Sequence, residues 1–573
     1  MKSMRCSSFL MVSALLAVVG TVYSSAQVQV DSATPSAAPQ GTINLDVAIK
    51  GNGFKKGATA QWFVSGTTNP GGVTVNSTTF KGATQVTANI TIAANAAING
   101  FDIVVRNTDG RTGKGTDKFA VTLKGTPVGC TTTGTPSGFT LVGMLNPVQP
   151  NGSALITTGK LGNAISVRPL DLNRDGVVDT LVALVASGAG SPPGTYVFFL
   201  DPVSGQMQAS NPVTGAAWQN PLQVLSGVRG GHAAAGDVNG DGVPDFAMSM
   251  PQDATANLFV GSVSDTPSYT PSYTAYQLVP PPRAPTAWGM GIALGDLDGD
   301  GKDEIVVSAA PGKKDTAIPA VFIFKYTGSG VTYAQKIQDP TGSQGSGFGG
   351  ELYGNGVAIG NIDGIPGNEL VVGAAGGGTN GLVYGFPYPA SQSNYFTLSG
   401  TGPQFGEGVG IADVNNDGTP DLVVITGNQF SGSDTTAQAL VFAGNVHPGN
   451  SYTNQLLPAT GLAYSWAAPN SDVGEMLAAG AVAVGTPNAT NAGDTSCTIK
   501  GGVGAVHLFT SPFASSQQPN YVFEPPSLLG SSAFEFGYGV GVVPGYPFVL
   551  IGAHFQAVGT TSNAGQLYVY KKN

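Results

Sequence analysis

Charge is scarce in this chain: only 10% of its 573 residues are Asp, Glu, Lys or Arg. Basic residues are the scarcer sign, 24 against 34 acidic ones, and they form no patch, so nothing supports a nucleic-acid partner. There are only four histidines, His232, His447, His507 and His554, and no two share a metal-ligand spacing such as H-x-x-x-H. His232 and His507 fall on strand-like runs, where packing is their expected use. Neither a G-x-S-x-G elbow nor a P-loop occurs, and no convincing catalytic set emerges. Cysteine numbers three. One of them, Cys6, lies in the leader described next, which leaves Cys130 and Cys497 as one open disulfide pairing in an oxidising compartment.

Long apolar runs are also missing, with one exception at the front. Lys2 and Arg5 precede an apolar core from Phe9 to Val19, and Ser24 to Ala26 make a small-residue cleavage site. That is the pattern of a secretory signal over residues 1–26, too short to span a membrane. The expectation is an exported protein without a membrane span, cleaved after about Ala26. Removing the leader takes two basic residues, and the net charge moves from −10 to −12.

Glycine is abundant, at 84 residues, which with low charge suits tightly turned all-β structure. Against this background one theme recurs: D-x-[N/D]-x-D-G-x-x-[D/E]. The first copy places Asp171, Asn173, Asp175 and Asp179 around Gly176, with the carbonyl of Val177 as a further oxygen. The second has Asp237, Asn239, Asp241, Asp245 and the carbonyl of Val243. The third has Asp296, Asp298, Asp300, Glu304 and the carbonyl of Lys302. The last has Asp413, Asn415, Asp417, Asp421 and the carbonyl of Thr419.

Oxygens at positions 1, 3, 5, 7 and 9 around a sharp turn suit a hard cation, and calcium takes six to eight such ligands. Without a cation the crowded carboxylates repel each other. A fifth copy is worn: Asn361, Asp363 and Glu369 remain, but Ile365 stands where position 5 needs oxygen. It reads as a weak site or a structural turn. The expectation is therefore four Ca²⁺ sites, with a fifth, weaker one. The intact loops use 13 of the 34 acids, so the acidity is largely metal-cage acidity, and four Ca²⁺ would bring the mature charge to −4.

The loops are not EF-hands. Position 12, where an EF-hand carries a bidentate Glu, is Val182, Met248, Val307 or Val424. The flanks are short β-branched runs, such as Leu181–Val185, Ile305–Val307 and Leu422–Ile425, bounded by Gly-rich segments. These read as strands.

The loops open at 171, 237, 296, 361 and 413, in units of roughly 60 residues. Gly230, Gly289, Gly354 and Gly406 lie seven residues upstream of four of them, and Trp288, Tyr353 and Phe405 precede three of those glycines. Those aromatics, with Phe536, read as core between units. Two further units, around Val473–Pro487 and Phe536–Ala553, keep the strands and lack the loop. Later aromatic strands recur, as at Tyr196–Leu200, Val321–Phe324 and Leu567–Tyr570. Units of this kind suit propeller blades, which leave few exposed edges. Thr140–Val142, ahead of the first unit, is placed to complete the last blade.

The pair Phe405-Gly406, the loop to Asp421, and the run Ile305 to Pro311 resemble the FG-GAP (VCBS) repeat of integrin-α-type β-propellers. The resemblance covers residues 137–573 and implies a seven-bladed propeller whose calcium loops hold strands on one face and rarely meet ligand. Departures are the worn fourth loop and the missing loops of blades six and seven.

Residues 27–125 lack acidic loops and alternate like strands at Ile43–Ile49 and Gln85–Ile92. The order Gly51, Gly53, Phe54, Gly57, Trp62, then Asp102–Val105 and Gly110, resembles the IPT/TIG Ig-like domain. Residues 126–136 are read as linker. The fold expectation is all-β: a small Ig-like β-sandwich followed by a seven-bladed propeller.

Functionally these readings point to a secreted, calcium-binding, non-enzymatic adhesion protein with an extracellular protein or glycan ligand. A propeller lectin is the alternative, with Trp218, Trp466, Tyr269, Tyr273 and Tyr276 as sugar-stacking aromatics against a loop-packing use. A calcium-dependent polysaccharide lyase is the third, for which no base can be nominated among so few Lys, Arg and His.

Overall fold

The computed structural model describes residues 27–573 except 40–41, 94–95, 98, 123–134, 147–153, 157–158, 189–192, 313–314, 351–354, 388, 403, 428–437, 458–461, 464–471, 477–478, 487–489, 492–503, 527–535 and 559–560. The chain is all-β, 53% strand. A single 3-10 turn, Pro251–Asp253, is the one helical segment among the described residues. No described helix is long and apolar enough to cross a membrane. Most of the 126–136 linker, both Cys130 and Cys497, and Trp466 lie outside the described residues.

The N-terminal part is a two-sheet sandwich. One sheet pairs Gln29–Thr34, Leu45–Asn52, Gln85–Ile92 and Val73–Gly82 in that order, and the other pairs Ala37–Pro39, Thr112–Thr122, Gly100–Arg106 and Thr59–Val64. Period-two burial drives the packing: along Gln85–Ile92 alternate residues are fully buried. Val47, Ile49, Trp62, Ile90, Phe101 and Phe119 fill the core, with Trp62 edge-on to Phe119 at 6.0 Å. Ala154, Val558 and Ala564 join this core from outside the sandwich.

Among the described residues the rest forms seven blade sheets, each antiparallel with four strands in the main run, and one two-stranded sheet that pairs Leu462–Ala463 with Thr490–Asn491. Blade 1 runs Leu161–Leu170, Thr180–Ser187, Gly194–Leu200 and Leu222–Ser226. Blades 2, 3, 4 and 5 begin at His232, Ala287, Val357 and Gly408, and blade 6 at Asp472. Blade 7 contributes Phe536–Val542, Phe548–Ala553 and Gln566–Lys572, and takes its fourth strand, Phe139–Met144, from the front of the ring. This is the closure expected of Thr140–Val142. The first strand of each blade packs on that of the next, and blade 7 packs back on blade 1.

Closure explains the scarcity of charge. A sheet covered on both faces must be apolar on both, so a strand inside it reads as a continuous apolar run. All eight residues of Thr180–Ser187 are buried, as are all six of Glu369–Ala374 and all six of Asp421–Thr426. Charges retreat to the turns.

The aromatic–glycine pairs sit between blades, as expected for Trp288, Phe405 and Phe536, each of them buried. Gly289, Gly406 and Gly537 follow with φ near +80 to +93°. Blade 4 departs from the spacing. Phe348 is fully buried and bridges Ala374, just as Trp288 pairs Ala309, and Gly349 has φ +88°. The blade 4 pair is therefore Phe348-Gly349, five residues before the Tyr353-Gly354 that spacing selects and that lies outside the described residues. A short insertion before the loop defeats a fixed offset.

At the seam between blades 7 and 1, a Cβ on Gly552 would lie 2.0 Å from the Gly162 carbonyl oxygen. Gly552→Ala is expected to destabilise the ring by about 1–3 kcal/mol in urea unfolding, since overpacking forces the backbone apart. Gly330→Ala, with nothing within 4 Å, is the control, expected within about 0.5 kcal/mol of wild type.

Burial of His507, in the third strand of blade 6, pushes its imidazole down to about 4. Its unfolded value is near 6.5, so between those pH values the unfolded chain binds the extra proton. The contribution of His507 is fully present above pH ~6.5 and is lost as pH falls through about 4. His507→Phe is expected to reduce acid destabilisation by up to about 3 kcal/mol between pH 7 and 4, measured by urea unfolding at each pH.

Candidate metal centres

The acidic loops join the first and second strands of blades 1 to 5, all at the same end of the sheets. A nine-residue turn between antiparallel strands must reverse the chain within a tight loop, and the backbone does so with two left-handed residues. Gly176, Gly242, Gly301 and Gly418 at position 6 have φ between +80 and +91°. Position 4 is left-handed as well: Arg174, Gly240, Gly299 and Asn416 have φ between +60 and +75°. The frequent Gly or Asn there was a legible signal that the motif pattern passed over.

The four intact loops share one hydrogen-bond pattern. The position 1 carboxylate accepts the position 6 N–H: Gly176 to Asp171 at 2.7 Å, Gly242 to Asp237 at 2.8 Å, Gly301 to Asp296 at 2.9 Å and Gly418 to Asp413 at 2.8 Å. The position 3 oxygen accepts the position 5 N–H, on Asn173, Asn239, Asp298 and Asn415. The position 5 carboxylate accepts the N–H of Val177, Val243, Lys302 or Thr419, from Asp175, Asp241, Asp300 and Asp417 respectively. The position 9 acid reaches back to the position 2 N–H: Leu172 to Asp179, Val238 to Asp245, Leu297 to Glu304 and Val414 to Asp421, at 2.7–2.9 Å.

Each side chain is thus fixed by one or more backbone donors. In the third loop one oxygen from each of Asp296, Asp298 and Glu304 lies within 4.8 Å of the others, the one such group among the described residues. In the other loops Asn replaces the second acid.

Electrostatics point the same way. Asp245 is pushed up to about 7 by burial and then by the charges of Asp237 and Asp241. Burial likewise raises Asp179 and Asp421, with neighbouring loop acids adding to it. Glu304 is raised by burial and partly relieved by Lys325. Acids buried among acids suit a divalent cation, which supplies the missing opposite charge. The residues present fit Ca²⁺ in ligand type and spacing.

The fifth, worn loop keeps the closure and alters the rest. Ile362 N–H still donates to Glu369 at 2.8 Å, and Asp363 accepts from Ile365 N–H at 2.8 Å. Asn361 turns its amide nitrogen onto the Ile365 carbonyl at 2.6 Å, and Pro366 replaces the position 6 glycine. Ile365 itself is exposed.

Three residues outside the motif tie the loops together. Asp303 accepts the Asp237 N–H at 2.7 Å while its own N–H donates to the Asp237 carbonyl at 2.9 Å, joining loop 3 to loop 2. Arg174 donates to the Asp241 carbonyl at 3.1 Å, and Asn368 to the Asp296 carbonyl at 2.9 Å. Lys325 bonds Glu304 at 3.0 Å and also Asp298.

The aromatics weighed for sugar stacking are engaged. Trp218 stacks on Phe199 at 4.6 Å and donates to the Gln208 carbonyl; Tyr273 packs on Phe246, and Tyr276 meets Tyr326. His232, His507 and His554 are buried.

Residues 288–330, which run from Trp288 through the third loop into the next two strands, match the family model of the FG-GAP repeat. A search of curated proteins found no match. Among solved structures, one described as the Dos1 propeller is 11% identical, covering 76% of this chain and 95% of that one, with a TM-score of 0.38. A chimeric titin Z1Z2 carrying an exogenous decorin peptide is 14% identical, covering 44% and 96%, with a TM-score of 0.10. Likenesses this distant carry no weight for the fold, which rests on the strand pairing above.

Asp303→Ala removes the acceptor of the half-buried Asp237 N–H. It is expected to cost about 1–3 kcal/mol in urea unfolding, an unsatisfied-donor penalty.

Proposed function

Taking as premise a chain that carries an FG-GAP repeat in an all-β propeller, we propose that this is an exported, calcium-stabilised, non-enzymatic binding protein. It has an Ig-like domain over residues 27–125 and a propeller over 137–573. The observation that carries the reading is the repetition, in four blades, of one oxygen-lined loop in which three or four carboxylates are held around a single turn by backbone N–H donors. Asp171, Asp237, Asp296 and Asp413, with their loop partners at positions 3, 5 and 9, would hold one Ca²⁺ each. The carbonyls of Val177, Val243, Lys302 and Thr419 would complete the set. Calcium supplies charge and pins the turn; no bond is made or broken. Asn361, Asp363 and Glu369 form a structural turn. Its ligand is an extracellular protein or glycan, bound away from the loops.

Extracellular modules bind calcium at about 10⁻⁴ to 10⁻³ M. At ten times its Kd a site adds about 1.4 kcal/mol to stability. Four sites in a domain of this length then shift Tm by about 5 °C. Melting in 2 mM Ca²⁺ and in EDTA checks this, and equal melting temperatures with calcium bound would refute the structural role. A glycan array in calcium and in EDTA tests the ligand class: calcium-dependent, competable hits would identify a lectin, and a blank array with folded protein would favour a protein ligand.

A further inference from the structure

Loop 3 differs from the other intact loops in two ways at once. At position 3 it carries Asp298, where the others carry Asn173, Asn239 and Asn415. Each of those asparagines donates its amide nitrogen to the position 5 carboxylate, at 3.0, 3.1 and 2.9 Å. A carboxylate cannot donate, so loop 3 gains a negative charge and loses a neutralising contact.

The second difference lies across the sheet. In blades 2 and 5 the remaining oxygen of the position 9 acid accepts a backbone N–H, from Gly261 to Asp245 at 2.6 Å and from Gly444 to Asp421 at 2.9 Å. In blade 3 that oxygen of Glu304 faces the Lys325 ammonium at 3.0 Å, which also bonds Asp298. The antiparallel register sets Lys325 beside Glu304, because Ile305 pairs with Phe324. The same register sets Val260 beside Asp245 and Ala443 beside Asp421. Loop 3 has four carboxylates against three elsewhere, and Lys325 returns it to the same net charge.

We propose that Lys325 is a resident counter-cation of the third loop. It competes with Ca²⁺ for Asp298 and Glu304 and makes this the weakest of the four sites. This rests on the calcium reading of the loops. An ammonium and a calcium ion seek the same oxygens and repel each other when both are within a few ångströms. The lysine head sits on a flexible stem with 39% of the side chain exposed, so it can swing out to solvent when the metal enters. When calcium is scarce, Lys325 keeps blade 3 neutralised while its neighbours lose their ions. The loops would then fill in two stages: three sites first, and the third loop at higher calcium.

Calorimetric titration of Ca²⁺ into the full chain tests this, with wild type, Lys325→Met and the double variant Asp296→Asn, Lys325→Met. One of the four sites should tighten about tenfold in Lys325→Met, the scale of removing a nearby exposed charge. The gain should vanish in the double variant, and Lys325→Met in EDTA should melt below wild type. Lys325→Gln, which keeps a polar tip, serves if the Met variant misfolds, and the same tightening is expected. Unchanged or weaker affinity at every site, in a wild type that binds calcium, overturns the assignment of Lys325 alone. A wild type that binds no calcium overturns the calcium reading and this inference with it.

Discussion

A carboxylate at the root of the second strand, buried in four cases and half-buried at Asp179, closes each of the five acidic loops. Asp179, Asp245, Glu304, Glu369 and Asp421 each accept the N–H of position 2, seven residues back. A carboxylate in that place satisfies a backbone donor that no strand partner can reach, and it costs desolvation to put it there. The worn loop explains which half of the bargain is structural. It has lost the position 5 oxygen and the position 6 glycine, yet it keeps Glu369 and its closing bond. The turn needs the acid whether or not a metal is present; a bound cation would relieve the crowding that the remaining acids create.

The loops do not act singly. Asp303 grips loop 2 from loop 3, Arg174 reaches loop 2 from loop 1, and Asn368 reaches loop 3 from loop 4. Neighbouring blades are therefore joined at this end by directional bonds, in addition to the apolar contact of their faces. Blades 6 and 7 dispense with the loop. Blade 7 is instead completed by Phe139–Met144, so the ring closes by backbone hydrogen bonding between its two ends.

Much of this was legible in the sequence because it is local. The nine-residue motif fixes oxygens and glycine within one turn, and the β-branched runs that follow each loop are the doubly covered second strands. Closure by Thr140–Val142 was legible because a ring of repeats leaves one strand over at each end. What escaped is what depends on register or on insertions. Phe348-Gly349 was hidden by a short insertion that makes Tyr353-Gly354 fit the spacing better. Lys325 lies 21 residues beyond Glu304, where only cross-strand pairing reveals it. Asp303 falls outside the motif's ligand positions, and its partner belongs to another blade.

Native mass spectrometry of the folded chain, in calcium and after chelation, tests the central claim most directly. Four Ca²⁺ per chain, lost together with stability on chelation, is the outcome that the proposed reading predicts. A chain that carries no calcium at millimolar concentrations, while remaining folded, would contradict it.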